Sequence, residues 1–106
     1  MYNKNINDNF LKKEKTYMNK YTCPCCGYIT LPNRGDYYIC PLCIWEDDQS
    51  QFEHPNLGGG ANENSLIEAQ INFINFGVSD IRFKYMAGNK NEFKKDPKFK
   101  IKKEGL

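Results

Sequence analysis

One segment of the chain carries a clear helical pattern of apolar residues. They recur at intervals of three and four positions, and neighbours fill the gaps: Leu66, Ile67, Ala69, Ile71, Phe73, Ile74 and Phe76. Such spacing places apolar side chains on one broad side of an α-helix. Ser65 and Glu68 have the spacing of a capping box, and Gly77 suits the position after the C-terminal end. The sequence therefore predicts an amphipathic helix over residues 66–76.

A second pattern indicates strands in the first half of the chain. Residues 28–31 and 36–39 are rich in β-branched and aromatic side chains, and the turn-forming residues 32–35 lie between them. This arrangement predicts a β-hairpin.

The segments on either side of the predicted helix are less regular. Ile81, Phe83 and Tyr85 alternate with basic residues, which predicts an extended strand. Residues 49–63 are polar and include three consecutive glycines, so we expect a loop there.

Four of the five cysteines form two Cys-x-x-Cys pairs in matching local sequences. The first reads Cys23-Pro24-Cys25-Cys26-Gly27, the second reads Cys40-Pro41-Leu42-Cys43, and 13 residues lie between Cys26 and Cys40. Four thiolates at this spacing can surround one tetrahedral zinc ion at about 2.3 Å per bond. We therefore predict a zinc site formed by Cys23, Cys26, Cys40 and Cys43. The predicted fold class is a small α+β zinc ribbon, in which two Cys-x-x-Cys knuckles lie on a β-hairpin and one amphipathic helix packs on it.

Three other uses of these cysteines fit the sequence less well. Disulfides are typical of secreted chains, yet no export signal precedes the cysteines, and the adjacent Cys25 and Cys26 suit a disulfide framework poorly. A redox Cys-x-x-Cys normally occurs once, near a βαβ pattern that this chain lacks. An iron–sulfur cluster uses the same residue type but usually a different spacing.

The composition indicates that the metal stabilises the fold. The chain has 106 residues, enough for one domain, and few aliphatic residues beside its Phe, Tyr and Trp. A small domain of this kind needs a source of stability besides its core, such as a bound metal. Zinc contributes on the order of 10–16 kcal/mol to the folding of small zinc domains. Four protein thiolates leave no open position for the water of a catalytic zinc. We expect one structural Zn²⁺ and no enzymatic activity.

Cys25 and His54 are the remaining residues with reactive side chains. Cys25 lies inside the first knuckle, where it can pack as a small apolar side chain, act as an activated nucleophile or replace Cys26 as a ligand. His54 is the only histidine, and it can be a surface residue, a general base or a ligand. Packing and surface exposure are the simpler interpretations, because no third orienting group for a Cys–His pair is visible.

The net charge of +2 conceals a strong asymmetry. The charge is +3 over residues 1–21, −7 over residues 22–81 and +6 over residues 82–106. An acidic centre disfavours phosphate contact by the ribbon itself, because nucleic-acid binding needs Lys or Arg on the docking surface. It suits a basic protein partner. The Lys-rich end can contact nucleic acid, or it can lie on the acidic centre as a solvated segment.

An unusual acidic run follows the second knuckle. Trp45 is expected to cover the thiolates and exclude water. The acids Glu46, Asp47 and Asp48 can cap backbone amides, pair with Arg34 or contact a partner. They are poor candidates for a Mg²⁺ or Ca²⁺ site, since contiguous residues in an extended segment cannot all face one ion. We assign Trp45, Glu46, Asp47 and Asp48 as candidate partner-binding residues.

The chain divides into three predicted segments. Residues 1–17 are polar and form a weakly ordered N-terminal extension, residues 18–86 form the ribbon domain, and residues 87–106 form a Lys-rich tail. The sequence contains no run of about 20 apolar residues, so we predict no membrane span. Metal-bound reduced cysteines without an export signal indicate the cytoplasm.

These motifs resemble those of a known family. Residues 21–31 resemble the opening motif of the bacterial cysteine-rich CPCC domain, residues 38–48 resemble its second motif, and residues 64–77 resemble its helix. The resemblance covers about residues 18–85 and implies a zinc-ribbon-like unit. The acids of residues 46–48 belong to the second motif, which implies a shared role for them.

Together these observations predict a zinc-stabilised protein-binding module, in the manner of an immunity protein or inhibitor that masks a basic partner. The alternative is a zinc ribbon that binds nucleic acid through its basic C-terminal tail.

Overall fold

The first knuckle connects two strands of a three-stranded antiparallel sheet in the computed structural model, which describes residues 19–102. In chain order the elements are β1 (Tyr21–Thr22), β2 (Tyr28–Leu31), α1 (Gln49–Glu53), α2 (Leu66–Phe76), 3-10 helices over Ile81–Met86 and Lys90–Glu92, and β3 (Lys94–Lys95). None of the helices between residues 19 and 102 combines the length and the apolar composition needed to cross a bilayer. The predicted extension over residues 1–17 lies outside the described residues.

Strand β2 lies at the centre of the sheet. Ile29 of β2 pairs with Thr22 of β1 on one side and with Lys94 of β3 on the other. Its β-branched residues, Ile29 and Thr30, favour extended backbone. The sheet therefore joins the start of the described chain to a segment near its end.

The predicted β-hairpin between the two knuckles does not form. Residues 36–39 do not pair with β2; Ile39 instead forms a bridge with Glu46 across the second knuckle. The N–H of Asp47 donates to the carbonyl oxygen of Tyr38 at 2.9 Å. Tyr37 has φ 64°, a left-handed conformation that interrupts an extended run. The residues on either side of each knuckle thus pair with each other. The prediction of one hairpin that connects the two knuckles was therefore wrong.

The predicted amphipathic helix is confirmed as α2. The Ser65 hydroxyl accepts a hydrogen bond from the N–H of Glu68 at 3.2 Å, and the Glu68 carboxylate accepts one from the N–H of Ser65 at 2.9 Å. Gly77 follows the helix with φ 81°, which glycine adopts without steric cost. Leu66 and Ala69 are fully buried in the same core as the cysteines. The helix therefore packs on the knuckles.

The loop predicted over residues 49–63 begins with the short helix α1. Asp48 caps this helix, because its Oδ1 accepts hydrogen bonds from the N–H groups of Ser50 and Gln51 at 2.8 and 3.2 Å. Gln51 then holds the loop that follows, with its Nε2 donating to three backbone carbonyl oxygens, those of Leu57, Asn62 and Asn64. A five-residue helix is too short to produce a periodic pattern, so the sequence did not reveal it.

The strand predicted from Ile81, Phe83 and Tyr85 is a 3-10 helix. Asp80 caps it by accepting a hydrogen bond from the N–H of Arg82 at 3.0 Å. Ile81 and Tyr85 are 51% and 84% exposed, so their side chains do not form the buried face of a strand. Three alternating residues are too few to distinguish the two structures.

The C-terminal segment is part of the fold up to residue 102, where the sequence predicted a tail from residue 87. Besides the pairing of β3 with β2, the N–H of Asp96 donates to the carbonyl oxygen of Gly27 at 2.9 Å. The Asp96 carboxylate accepts a hydrogen bond from the Thr22 hydroxyl at 2.5 Å. Phe99 packs against Gly27 so closely that a Cβ there would overlap its ring. These contacts hold the segment against the first knuckle.

Candidate metal centre

The two knuckles bring four cysteine sulfurs into one cluster. The Sγ atoms of Cys23, Cys26, Cys40 and Cys43 all lie within 4.8 Å of one another. Cys23 and Cys43 are 3.6 Å apart, and Cys26 and Cys40 are 3.8 Å apart. Thiolates about 2.3 Å from a tetrahedral Zn²⁺ ion would be separated by roughly 3.8 Å. The four cysteines are therefore positioned to bind a metal ion.

The two knuckles have the same backbone geometry. Gly27 in the first donates its N–H to the carbonyl oxygen of Cys23 at 2.9 Å, and Ile44 in the second donates to that of Cys40 at 2.9 Å. Their φ angles are 82° and 68°. Glycine adopts this conformation freely, whereas a β-branched residue is strained there. Ile44 is fully buried in a second apolar cluster, so its packing offsets the strain.

Three groups form hydrogen bonds with the sulfur atom of Cys40. The backbone N–H groups of Leu42 and Cys43 donate to its sulfur at 3.4 Å each, and the Thr30 hydroxyl lies 3.0 Å from it. Such donors stabilise a thiolate and tune a metal ion bound to it. The sequence analysis missed Thr30, because nothing in its position on β2 marks it as a neighbour of Cys40.

The pKa values of the four clustered thiols are shifted by burial and by their neighbours. Burial raises the pKa of three thiols well above the ordinary value: Cys23, Cys26 and Cys43. Burial acts in the same direction at Cys40, but hydrogen bonds from the neighbouring thiols and Thr30 hold the pKa of this thiol well below the ordinary value. Four thiolates at this separation would repel one another strongly without a bound cation. Metal binding therefore releases thiol protons.

The cluster is closed to solvent. Its four cysteines are at most 2% exposed, and Leu31, Trp45 and Leu66 belong to the same buried core. A metal ion bound by four buried thiolates has no open coordination position.

Cys25 and His54 lie outside this ligand set. Cys25 is 2% exposed and part of the core, but its sulfur is not one of the four that group together. All five cysteines are free thiols. His54 is exposed at the end of α1, where its backbone N–H donates to the carbonyl oxygen of Ser50 at 2.8 Å.

The four candidate partner-binding residues are buried. Trp45, Glu46, Asp47 and Asp48 are 0%, 8%, 1% and 5% exposed. The Asp47 Oδ2 accepts a hydrogen bond from the N–H of Gly35 at 2.6 Å, and the Asp48 Oδ2 accepts one from the N–H of Ala61 at 3.0 Å. These carboxylates cap backbone amides inside the fold. Because burial leaves them little surface to present, we do not propose a partner contact at these residues.

Burial also changes the acidity of two of these groups. Burial, and then the charge of Asp48, raise the pKa of Glu46 to about 7. Burial raises the pKa of Asp47, although the Gly35 N–H and the Arg34 guanidinium oppose the shift. Oxygen Oε1 of Glu46 and oxygen Oδ1 of Asp47 have no hydrogen-bond partner within residues 19–102. The acidic run therefore adds less negative surface than its sequence suggests.

The comparison with known families agrees with the two cysteine motifs. The model of the family described as cysteine-rich CPCC matches residues 21–93, which include both knuckles and helix α2. No curated protein matches the chain. Because the family match covers more than half of the 106 residues, the chain belongs to the cysteine-rich CPCC family.

Proposed function

We propose that this chain is a zinc-stabilised module that acts by binding a basic protein, as an immunity protein or inhibitor does, and that it is not an enzyme. The observation that carries the proposal is the burial of all four clustered cysteines. A closed metal site stabilises a scaffold and offers no position for a substrate. Function then belongs to the surfaces that the scaffold holds in place.

Zinc is the metal that we assign. Four thiolates around one position are typical of zinc and of iron–sulfur chemistry. The sulfur separations of 3.6 and 3.8 Å suit a single ion, because a cluster of several irons would hold the sulfurs farther apart. We also propose a cytoplasmic location, since free thiols that bind a metal need a reducing compartment.

Metal analysis of the purified chain tests this assignment. We expect one zinc ion per chain, and Co²⁺ substitution should produce the absorption bands of tetrahedral thiolate coordination. Iron in place of zinc, whether one ion or several, or no metal, would overturn it.

Exposed acids on one part of the fold support a basic partner. They lie on α1, on the loop after it and in the first turn of α2: Glu53, Glu63 and Glu68. Hydrogen bonds join these three segments, including one from the N–H of Ile67 to the carbonyl oxygen of Pro55 at 3.1 Å. Complementary charge speeds association and selects partners. Glu63 also forms an ion pair with Arg82 at 3.2 Å, so Glu53 and Glu68 supply most of the negative charge. We therefore propose this acidic surface, Glu53, Glu63 and Glu68, in place of the buried acids.

Capture from a native cell extract tests the partner. The zinc-loaded chain is compared with Glu53→Lys, which alters the acidic surface, and with Glu92→Lys, which reverses an exposed acid elsewhere. We expect a protein with a net positive charge to be captured by the native chain and by Glu92→Lys, and about tenfold less by Glu53→Lys. Equal capture by all three chains at equal zinc content would contradict the proposal.

Nucleic-acid binding is the second candidate, and exposed lysines favour it. They lie on β3 and the segment after it: Lys94, Lys95, Lys98 and Lys100. If the chain binds phosphates, the logarithm of the binding constant should fall linearly with the logarithm of the salt concentration. A DNA or RNA complex at low salt that Lys98→Gln weakens would support this candidate, and the absence of any complex at low salt would remove it.

A further inference from the structure

A cavity of about 560 Å³ lies between the first knuckle, helix α2 and the C-terminal segment. Its volume falls within the range of small-molecule sites, roughly 300–1,000 Å³. Cys26 of the four-cysteine cluster contributes to its lining, but the acidic surface does not.

One wall of the cavity is apolar and aromatic. Leu42, Phe73 and Phe99 line it together with Tyr28. The rings of Tyr28 and Phe73 meet edge to face with centroids 6.2 Å apart, a geometry that aromatic pairs favour. Phe99 is fixed by its close approach to Gly27. This wall suits the apolar body of a ligand.

The charged residues that line the cavity are all basic: Lys84, Lys90 and Lys95. The Nζ atom of Lys95 lies 5.3 Å from the ring centroid of Tyr28 and 5.9 Å from that of Phe99. This ammonium group is therefore placed beside the aromatic wall. The Lys84 ammonium group donates to the carbonyl oxygen of Phe76. Lys90 and Lys95, with no carboxylate among the lining residues, therefore create the positive potential that attracts an anion.

Gln70 adds a polar group to the lining. It is 1% exposed, and its Nε2 donates to the carbonyl oxygen of Pro24 at 2.9 Å. Its Oε1 has no hydrogen-bond partner among the described residues. Buried carbonyl oxygens are usually paired with a donor, so an N–H group on a ligand would complement this one.

We propose that the cavity binds a small organic carboxylate with an apolar body and an amide N–H, of the class of N-acylated hydrophobic amino acids. The carboxylate lies near Lys90 and Lys95, and the apolar body contacts Phe73 and Leu42. The amide N–H is directed toward Gln70. This site is independent of the protein partner proposed above.

The test is calorimetric titration of N-octanoyl-phenylalanine into the zinc-loaded full chain. We expect saturable binding at one site with a dissociation constant below about 1 mM. The methyl ester of the same compound lacks the negative charge and should bind at least tenfold more weakly. Failure of the acid to bind, or equal binding of acid and ester, would overturn the proposal.

Two matched pairs of variants locate the site. Lys95→Gln should weaken binding about tenfold, while its neighbour Lys94→Gln, outside the cavity lining, should not. Ile74→Glu places an acid at the cavity and should also weaken binding, whereas Ile71→Glu on the same helix should not. Ile74 and Ile71 are 64% and 51% exposed, so both variants should fold.

Equal effects within both pairs, at unchanged zinc content, would overturn the location. A chain that captures a basic protein but does not bind the acid would overturn this inference and leave the proposed function intact.

Discussion

The Oγ1 atom of Thr30 lies 3.0 Å from the Sγ atom of Cys40. Thr30 belongs to the central strand β2 and Cys40 to the second knuckle, so this contact joins the sheet to the four-cysteine cluster. Burial raises the pKa of the Cys40 thiol, but hydrogen bonds from the neighbouring thiols and, to a smaller extent, from Thr30 hold this pKa well below the ordinary value. The hydroxyl is therefore expected to influence metal affinity.

Thr30→Val removes this hydroxyl with little change of volume. We expect zinc affinity to fall about tenfold, the lower end of the effect of losing a partner of a metal ligand. Competition with a chromophoric chelator measures it. Thr22→Val is the matched control, because the Thr22 hydroxyl bonds Asp96 and not a sulfur. Identical affinities for Thr30→Val and the native chain would contradict the prediction.

Adjacent cysteines allow a direct test of the ligand set. Cys26→Ser removes one of the four clustered sulfurs, and Cys25→Ser removes a sulfur outside them. We expect Cys25→Ser to keep one metal ion per chain, and Cys26→Ser to lose affinity at least 100-fold and to unfold when a chelator is present, because metal binding and folding are coupled. Native mass spectrometry and circular dichroism record both results. Loss of metal from Cys25→Ser alone would show that the ligand set is wrong.

Asp48 is expected to stabilise the fold. Its carboxylate accepts hydrogen bonds from the N–H groups of Ser50, Gln51 and Ala61. Asp48→Ala removes a helix cap, which costs about 0.5–2 kcal/mol, and it also releases the loop at Ala61. Urea unfolding of the zinc-loaded protein measures the loss.

Asp36→Ala is the control for Asp48. Asp36 is exposed and accepts a hydrogen bond from the Asn33 side chain at 2.8 Å, so its removal should change the free energy of unfolding by less than about 0.5 kcal/mol. A stable Asp48→Ala chain that has lost partner capture would reverse our assignment of Asp48 to the interior.

Glu46 predicts a dependence of stability on pH. Burial, followed by the charge of Asp48, raises its pKa from 4.5 to about 7 in the folded chain. Between pH 4.5 and pH 7 the unfolded state binds fewer protons than the folded state. The stability present at low pH is therefore lost as the pH rises through 7. From pH 6 to pH 8 we expect a loss of at most about 1 kcal/mol, allowing for partial solvent screening.

The reference for this measurement is Glu46→Gln, in which the carboxyl group cannot ionise. Thiol protonation affects both chains equally, so the difference between their free energies of unfolding isolates Glu46. A difference that stays constant from pH 6 to pH 8 would count against the predicted shift.

The clustering of the four cysteines and helix α2 could be predicted because local sequence specifies them. Two cysteines of one knuckle are three residues apart, so their turn places both sulfurs on one side whatever the rest of the chain does. The capping residues Ser65, Glu68 and Gly77 likewise define the helix ends through contacts within one turn.

Strand pairing was decided by distant contacts. The sequence predicts that β2 pairs with the nearest suitable segment, residues 36–39, but β3 comes from far along the chain. Nothing local to Lys94 identifies it as the neighbour of Ile29. The left-handed backbone at Tyr37 also has no clear signal, because it depends on the pairing of Ile39 with Glu46 across the knuckle.

Accessibility was likewise decided by the tertiary structure. The sequence supplies the charges of residues 46–48, but only the packed fold turns these side chains inward to cap the amides of Gly35 and Ala61. The cavity has walls from the first knuckle, α2 and the C-terminal segment, and Phe99, which packs on Gly27, is part of its lining. Cysteine spacing and helix capping act within a few residues, whereas burial and cavities require segments that are distant in sequence to meet.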